Sequence, residues 1–369
     1  MASRLLTRLE AEIAAATHPL RADCLRAERA GLLARLGQLG EARQVLSTLQ
    51  GQYANRPHAV MSAWLSLGEG LLGYYSDMGT STQDRMRRAY ALSGAARDMR
   101  LHALCAAWLA HSEYVNDDLG AMARHAAEAV RLSDPTDHGT RARACLVIAQ
   151  GYHLSGRFDR AQPWYAKVRL HGHADGDEAT LSALMHNMAW MHTNHVRQKM
   201  LSEPGGEQMV ITPQMLMGAE STETFDNLSG MLALDALVPM LRAQVHSLLG
   251  NWAESLALSE AYFSQAMAQG MGHMQASLRA EMAWCRSRLG QASRALQDAK
   301  AAALAVEKER DLDDRAAAHS RLAQVFAQSG DADAAERHAR RAASDWQALR
   351  KEQAEGVVML DEALAGLDP

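Results

Sequence analysis

The chain has 369 residues with only 5% aromatics, a formal net charge of −5 at pH 7 and no long basic run, so it lacks the electrostatic footprint of a nucleic-acid binder. No window approaches the roughly 20 uncharged apolar residues of a membrane span. No apolar h-region follows Met1 either, so neither a secretory signal nor a membrane partner is expected, and a cytoplasmic location is. Alanine and leucine outweigh the β-branched and aromatic residues that strands favour, which predicts an all-α fold. Cys24, Cys105, Cys145 and Cys285 form no CxxC pair and read as buried thiols in a reducing compartment.

In chain order, helical periodicity covers Leu5 to Ala16, then Leu20 to Leu36 behind Pro19, with a turn at Gly37 to Gly40 and a helix over Glu41 to Tyr53. Pro57 opens a second pair, whose turn lies at Met78 to Gln83. A third begins at Asp98, turns at Asn116-Asp-Asp118 and is closed by Asp134-Pro135. The fourth runs from Gly139 to Leu170, and Gly172 to Gly176 reads as a polar break. A fifth has a helix from Asp177 to about Val196 and then an insertion at about 198–212, containing Glu203-Pro-Gly-Gly206. Three further pairs follow: Met231 to Ala268, with Pro239 inside its first helix, where it either kinks the helix or sits in its first turn, then Met271 to Glu309 and Leu312 to Arg350. The stretch 356–367 alternates apolar and acidic residues and reads as a separate capping helix.

One spacing organises these pairs. Gly250, Gly290 and Gly330 recur at an interval of 40 residues. Seven residues before each stands Ala243, Ala283 or Ala323, and five after it Ser255, Ala295 or Ala335. Gly37 (Ala30, Ala42) and Gly156 (Ala149, Ala161) obey the same rule. Glycine ends a helix by taking a left-handed conformation, and the flanking small residues fall where two helices cross closely. The pattern, with Phe158 and Trp252 two residues after their glycines, resembles the tetratricopeptide repeat family. The period is longer than that family's usual repeat of about 34 residues and is similar to the long-helix form in bacterial signalling proteins, such as the helical sensor domains of large LuxR-type activators. The resemblance implies a single domain over 1–369: a right-handed superhelical solenoid of antiparallel helix hairpins, with about eight repeats and a capping helix.

No phosphate loop, nucleophile elbow or HExxH motif is present, so neither a catalytic residue nor a cofactor is expected. In the family, the residue after the inner small position faces a concave groove. Here that position holds Gln150, Trp190, Gln244, Trp284 and Gln324, and neighbouring groove positions include His153, Asn194 and Arg288. His186 and Asn187 fall just before Ala189, and Asn187 matches an asparagine with which the family grips peptide backbone. The resemblance thus implies a non-enzymatic adaptor or sensor that binds a protein or peptide segment in this groove, with tryptophans burying apolar anchors and amides bonding the backbone. The opposing reading is that these polar residues bond one another across neighbouring repeats. Two alternatives from other classes are a small-molecule-gated regulator and a metal-dependent enzyme using His171, His173, His186, His192 and His195. In the metal reading, His192 and His195 share a helix face while His171 and His173 sit in a loop. Methionines cluster around the insertion, and Met209, Met215 and Met217 are candidates for an adaptable apolar surface. Oligomeric state is left open by the sequence.

Overall fold

The punctuation read from the sequence is present in the backbone of the computed structural model, which describes residues 3–79, 81–203 and 214–368. All five glycines of the spacing rule have positive φ, between 72° and 83°. Each closes its helix in the same way: Gly37 N–H donates to Ala34 O, and Gln38 N–H reaches back to Leu33 O. The pair Gly330 to Ala327 and Asp331 to Phe326 repeats the pattern at the other end of the chain. This is the Schellman closure, which satisfies the last carbonyls of a helix. The helix pair that turns at Asn116-Asp-Asp118 has no rule glycine and makes the closure anyway, with Asp117 in the left-handed region at φ 59°. The crossing positions Ala30, Ala42, Ala149, Ala161, Ala283 and Ala295 are buried, whereas Ala323 and Ala335 are only half-buried.

The described residues are all-α, with no strand. The helices are α1 (Arg4–Ala15), α2 (Pro19–Arg35), α3 (Leu39–Tyr53), α4 (Ala59–Asp77), α5 (Thr82–Ala95), α6 (Met99–Val115), α7 (Leu119–Leu132), α8 (His138–Leu154), α9 (Phe158–Asp175) and α10 (Glu178–Ser202). They continue as α11 (Gln214–Ser229), α12 (Leu237–Leu248), α13 (Trp252–Ala268), α14 (Gln275–Arg288), α15 (Ala292–Ala305), α16 (Leu312–Gln328) and α17 (Ala332–Ala363). Aspartates at 98, 118, 137 and 311 cap their helices by accepting an N–H of the first turn, and Pro19 and Pro239 occupy first turns where their missing N–H costs nothing.

The residues fall into two compact units. Unit 1 comprises the described residues of Met1–Met185, Thr224–Leu234 and Glu355–Pro369; unit 2 comprises those of His186–Glu223 and Asp235–Ala354. In unit 1, α2 pairs with α3, α4 with α5, α6 with α7 and α8 with α9, and the first helices also pack on one another, α2 on α4 and α6 on α8. Its core holds Leu33, Leu49, Met61, Leu67 and Met86. In unit 2, α12 pairs with α13 and α14 with α15, while α14 packs on α16 around an alanine-rich core that includes Leu322 and Phe326.

Three expectations are corrected. The stretch 172–176 is no break: α9 runs through Gly172 to Asp175, and only Gly176, at φ 68°, ends it. Gly172 serves close packing, since a Cβ there would lie 2.9 Å from Leu181 Cδ2. The capping stretch is the end of the 32-residue α17, whose Gly356 packs against Leu119 and Ser155, where a side chain would collide. Likewise α10 continues past Val196 to Ser202, so the insertion is shorter than expected; its residues 204–212 lie outside the described residues.

Candidate functional site

The first helices of unit 1 line one cleft of about 730 Å³, counting the solvent at its mouth. Five of them, α2, α4, α6, α8 and the start of α10, supply its walls, and α1 supplies Leu5, Arg8 and Leu9. Ser3 and Arg4 bond Glu178, and Leu5 N–H donates to Gly176 O at 3.1 Å, which fixes α1 to the α9–α10 turn. Leu32, Leu67, Leu71, Leu104 and Trp64 make the remaining walls apolar. Gly31 lets α2 and α4 approach, since a Cβ there would sit 2.9 Å from Leu71 Cδ1.

The floor is ionic. Arg35 Nη2 donates to both carboxylate oxygens of Asp177 at 2.7 Å and to Thr180 Oγ1 at 2.7 Å. Asp177 also caps α10 by accepting Thr180 N–H at 3.0 Å. Burial alone would raise the Asp177 carboxyl, but Arg35 outweighs it and holds the group below the usual carboxylate range. Arg143 lies beside this pair. Its guanidinium sits 4.0 Å from the Trp108 ring centroid and Arg35's sits 5.5 Å from it, so one indole serves two cations. Arg143 is 2% exposed, and its one side-chain hydrogen bond is a long one, 3.4 Å to Thr180 Oγ1; its Nε has no partner. Burial lowers its pKa, with Arg35 adding to the effect.

Two further ion pairs line the cleft. Arg8 donates to Asp175 at 2.7 Å and Arg100 to Glu28 at 3.1 Å. The neighbouring His111 meets Trp108 edge-on at 5.7 Å and Tyr74 at 5.0 Å. Burial, aided by Arg143 and Arg35, pushes His111 down to about 3, so the ring is neutral.

The groove residues expected from the sequence are not in this cleft. In unit 1, Gln150 is buried with its Oε1 unpartnered, and His153 Nδ1 lies 3.1 Å from Tyr165 Oη. The others lie in unit 2. On α10, His186 stacks on Trp190 at 5.9 Å, burial lowers its pKa to about 4, and Asn194 Oδ1 is buried without a partner. Asn187 is half-buried. Trp190 packs against two buried clusters, one including Met240 and Leu278 and one including Leu241 and Val245. Further along, Trp284 lies under Arg321 at 4.9 Å and Arg288 at 5.4 Å. Arg321 donates to Gln324 Oε1 at 3.0 Å and to Glu281 at 2.9 Å, and Glu281 also accepts from Ser247. Gln244 is buried, its Oε1 unpartnered. Thus Trp284, Arg288 and Gln324 share one cluster, in which Glu281 is bonded by Arg321 and Ser247 of neighbouring helices.

The histidines do not converge on a metal geometry. His171 is in α9, with its Nδ1 2.9 Å from His138 Nδ1, and among the described residues no group of three or more His, Cys, Asp or Glu is placed to hold a metal ion. All four cysteines are buried and free. Met209 and the side chain of Met215 lie outside the described residues, and Met217 is exposed.

Sequence reasoning missed Arg35, Trp108, Arg143 and Asp177. One signal was available: Arg143 sits in Ala142-Arg-Ala-Cys-Leu-Val-Ile-Ala149, a run apolar on every face, and such a helix is buried all round. No protein-family model matches the chain, and no curated protein matches it significantly.

Proposed function

We propose that the chain is a non-enzymatic tetratricopeptide-like recognition protein, an adaptor or sensor that binds a short partner segment in the inner-helix cleft of unit 1. The observation behind this reading is the convergence of five helices on one concave site with apolar walls, an indole and buried, directional charges. Recognition sites are built in this way, with apolar area for affinity and a few fixed polar groups for orientation. No nucleophile–base pair meets in the cleft, and its carboxylates are engaged in ion pairs and caps. A second reading, a small-molecule-gated regulator, is favoured by the make-up of the cleft, apolar walls with a few fixed polar groups.

Selection of a displayed peptide library on the full chain tests the first reading, with a photo-crosslinking group in the enriched peptides. Enrichment of one consensus with crosslinks on α2, α4, α6 or α8 is the expected result. Crosslinks near Trp190, Trp284 or Gln324 would instead place recognition in unit 2. Absence of any consensus, together with thermal stabilisation by a metabolite, would select the second reading.

A further inference from the structure

Four arginines and four carboxylates line the unit 1 cleft, and Arg143 is the one arginine of these with no carboxylate in contact among the described residues. Arg8 has Asp175, Arg100 has Glu28, and Arg35 has Asp177. The fourth acid, Asp137, is held at the start of α8, accepting from Thr140 N–H at 3.3 Å and Thr140 Oγ1 at 2.8 Å. Arg143 makes no ion pair among the described residues, although it is buried and has five N–H donors to satisfy. A buried guanidinium facing a cleft with one long hydrogen bond is a costly arrangement for the empty protein. It becomes a favourable one when an anion enters, since a carboxylate matches the guanidinium fork and the low-polarity walls strengthen the contact.

We propose that Arg143 is the anchor of a monocarboxylate subsite: the ligand seats one carboxylate on Arg143, beside Thr180 and above the Trp108 ring, and lays an apolar body against Leu67, Leu71 and Leu104. This rests on the cleft of unit 1 being the ligand site. One guanidinium without a carboxylate in contact offers one fork, which selects a single carboxylate, and a phosphate dianion would bring two charges to a lining whose four arginines already face four carboxylates. The apolar walls select a carboxylate carried on a hydrocarbon body over a small free anion. Such a carboxylate comes either from a small organic acid or from an acidic side chain of a partner segment.

The test is calorimetric titration of the full chain with hexanoate, hexanamide, hexylammonium and inorganic phosphate. Wild type is expected to bind hexanoate saturably and none of the other three. Arg143→Gln, confirmed folded by circular dichroism, should weaken hexanoate by at least about tenfold, the scale of a lost charge-assisted hydrogen bond, and Arg143→Lys should fall between. The subsite is overturned if hexanamide, hexylammonium or phosphate binds as well as hexanoate. An unchanged hexanoate affinity in Arg143→Gln overturns it as well. So does the absence of saturable heat in wild type up to about 10 mM, above the millimolar affinity expected of so small a ligand. The two hexyl controls need no variant, so the test survives a misfolded mutant.

Two peptides, acetyl-Leu-Glu-Leu-amide and its Gln counterpart, separate the sources. Glu-specific peptide binding assigns the carboxylate to a partner side chain, and hexanoate binding alone assigns it to a small acid. Glu and Gln peptides bound alike, with no hexanoate uptake, would overturn the subsite while leaving the cleft as a ligand site. Hexanoate bound with no peptide selected would overturn the partner-segment reading while leaving the subsite standing.

Discussion

Replacing Asp177 by asparagine tests the ionic floor most directly. The carboxylate is 2% exposed and accepts two 2.7 Å contacts from Arg35, and Asp177 also holds the first turn of α10. Asparagine keeps an acceptor for the Thr180 N–H, so the helix cap survives and the charge alone is lost. What remains is Arg35 and Arg143 over one indole with no carboxylate beside them. Removing one member of a buried pair typically costs about 3–5 kcal/mol, and Asp177→Ala should cost about 1 kcal/mol more through the cap. Arg143→Gln removes an unpaired buried cation and should be neutral or stabilising, and combined with Asp177→Asn it should recover part of the loss. Urea unfolding followed by tryptophan fluorescence measures all four. The dependence on pH follows from the depressed Asp177 pKa. The stabilisation is present above the ordinary carboxylate pKa near 4 and is lost as pH falls through the lower folded value, so the wild-type advantage should hold at pH 7 and at pH 5. A loss below about 1 kcal/mol, the scale of an exposed pair, would refute the reasoning, as would an Arg143→Gln penalty equal to that of Asp177→Asn.

Burial holds His111 down at about 3, whereas the unfolded side chain titrates near its ordinary value of 6.5. The unfolded state therefore takes up a proton that the fold refuses, and stability should decline as pH falls from about 6.5 toward 3. His111→Asn should flatten the fall of the urea midpoint between pH 7 and 4.5, and an unchanged slope would exclude His111 as a contributor. Among the turn glycines, Gly330→Ala meets no atom within 4 Å and should cost only the left-handed backbone penalty, about 1 kcal/mol. Gly37→Ala has the same φ of 83°, but its Cβ would lie 2.5 Å from Ala233 N and 2.6 Å from Leu232 C, against a segment whose Leu232 N–H bonds Leu36 O. It should cost several times as much, and equal urea midpoints for the two variants would contradict this account.

The fold was legible because its instructions are local. A glycine that must take positive φ leaves a mark at one position, and alanine at a helix crossing leaves a second mark at fixed spacing, so Gly37, Gly156, Gly250, Gly290 and Gly330 could be placed without tertiary knowledge. Errors arose where one residue type serves two purposes. Gly172 and Gly356 are helical and small so that Leu181 and Leu119 can come close, and sequence alone does not separate that use from helix termination. Asp117 shows the converse, a left-handed turn without glycine.

The cleft was illegible for a different reason: its chemistry joins residues far apart in the chain. Arg35 and Asp177 are 142 positions apart, and each looks ordinary where it stands, one as a basic residue in the last turn of a helix and the other as an N-cap. What distinguishes Arg143 is the company it keeps. The residues around it on α8 are buried on all faces, and the acids that line its cleft are each held by another group. An arginine in a helix with no solvated face meets water only through the cleft it lines, so its charge is met by the protein, by solvent in the cleft or by something the protein binds. The protein meets it with the face of Trp108 and one long bond to Thr180, which leaves a guanidinium at the cleft wall without a carboxylate in contact.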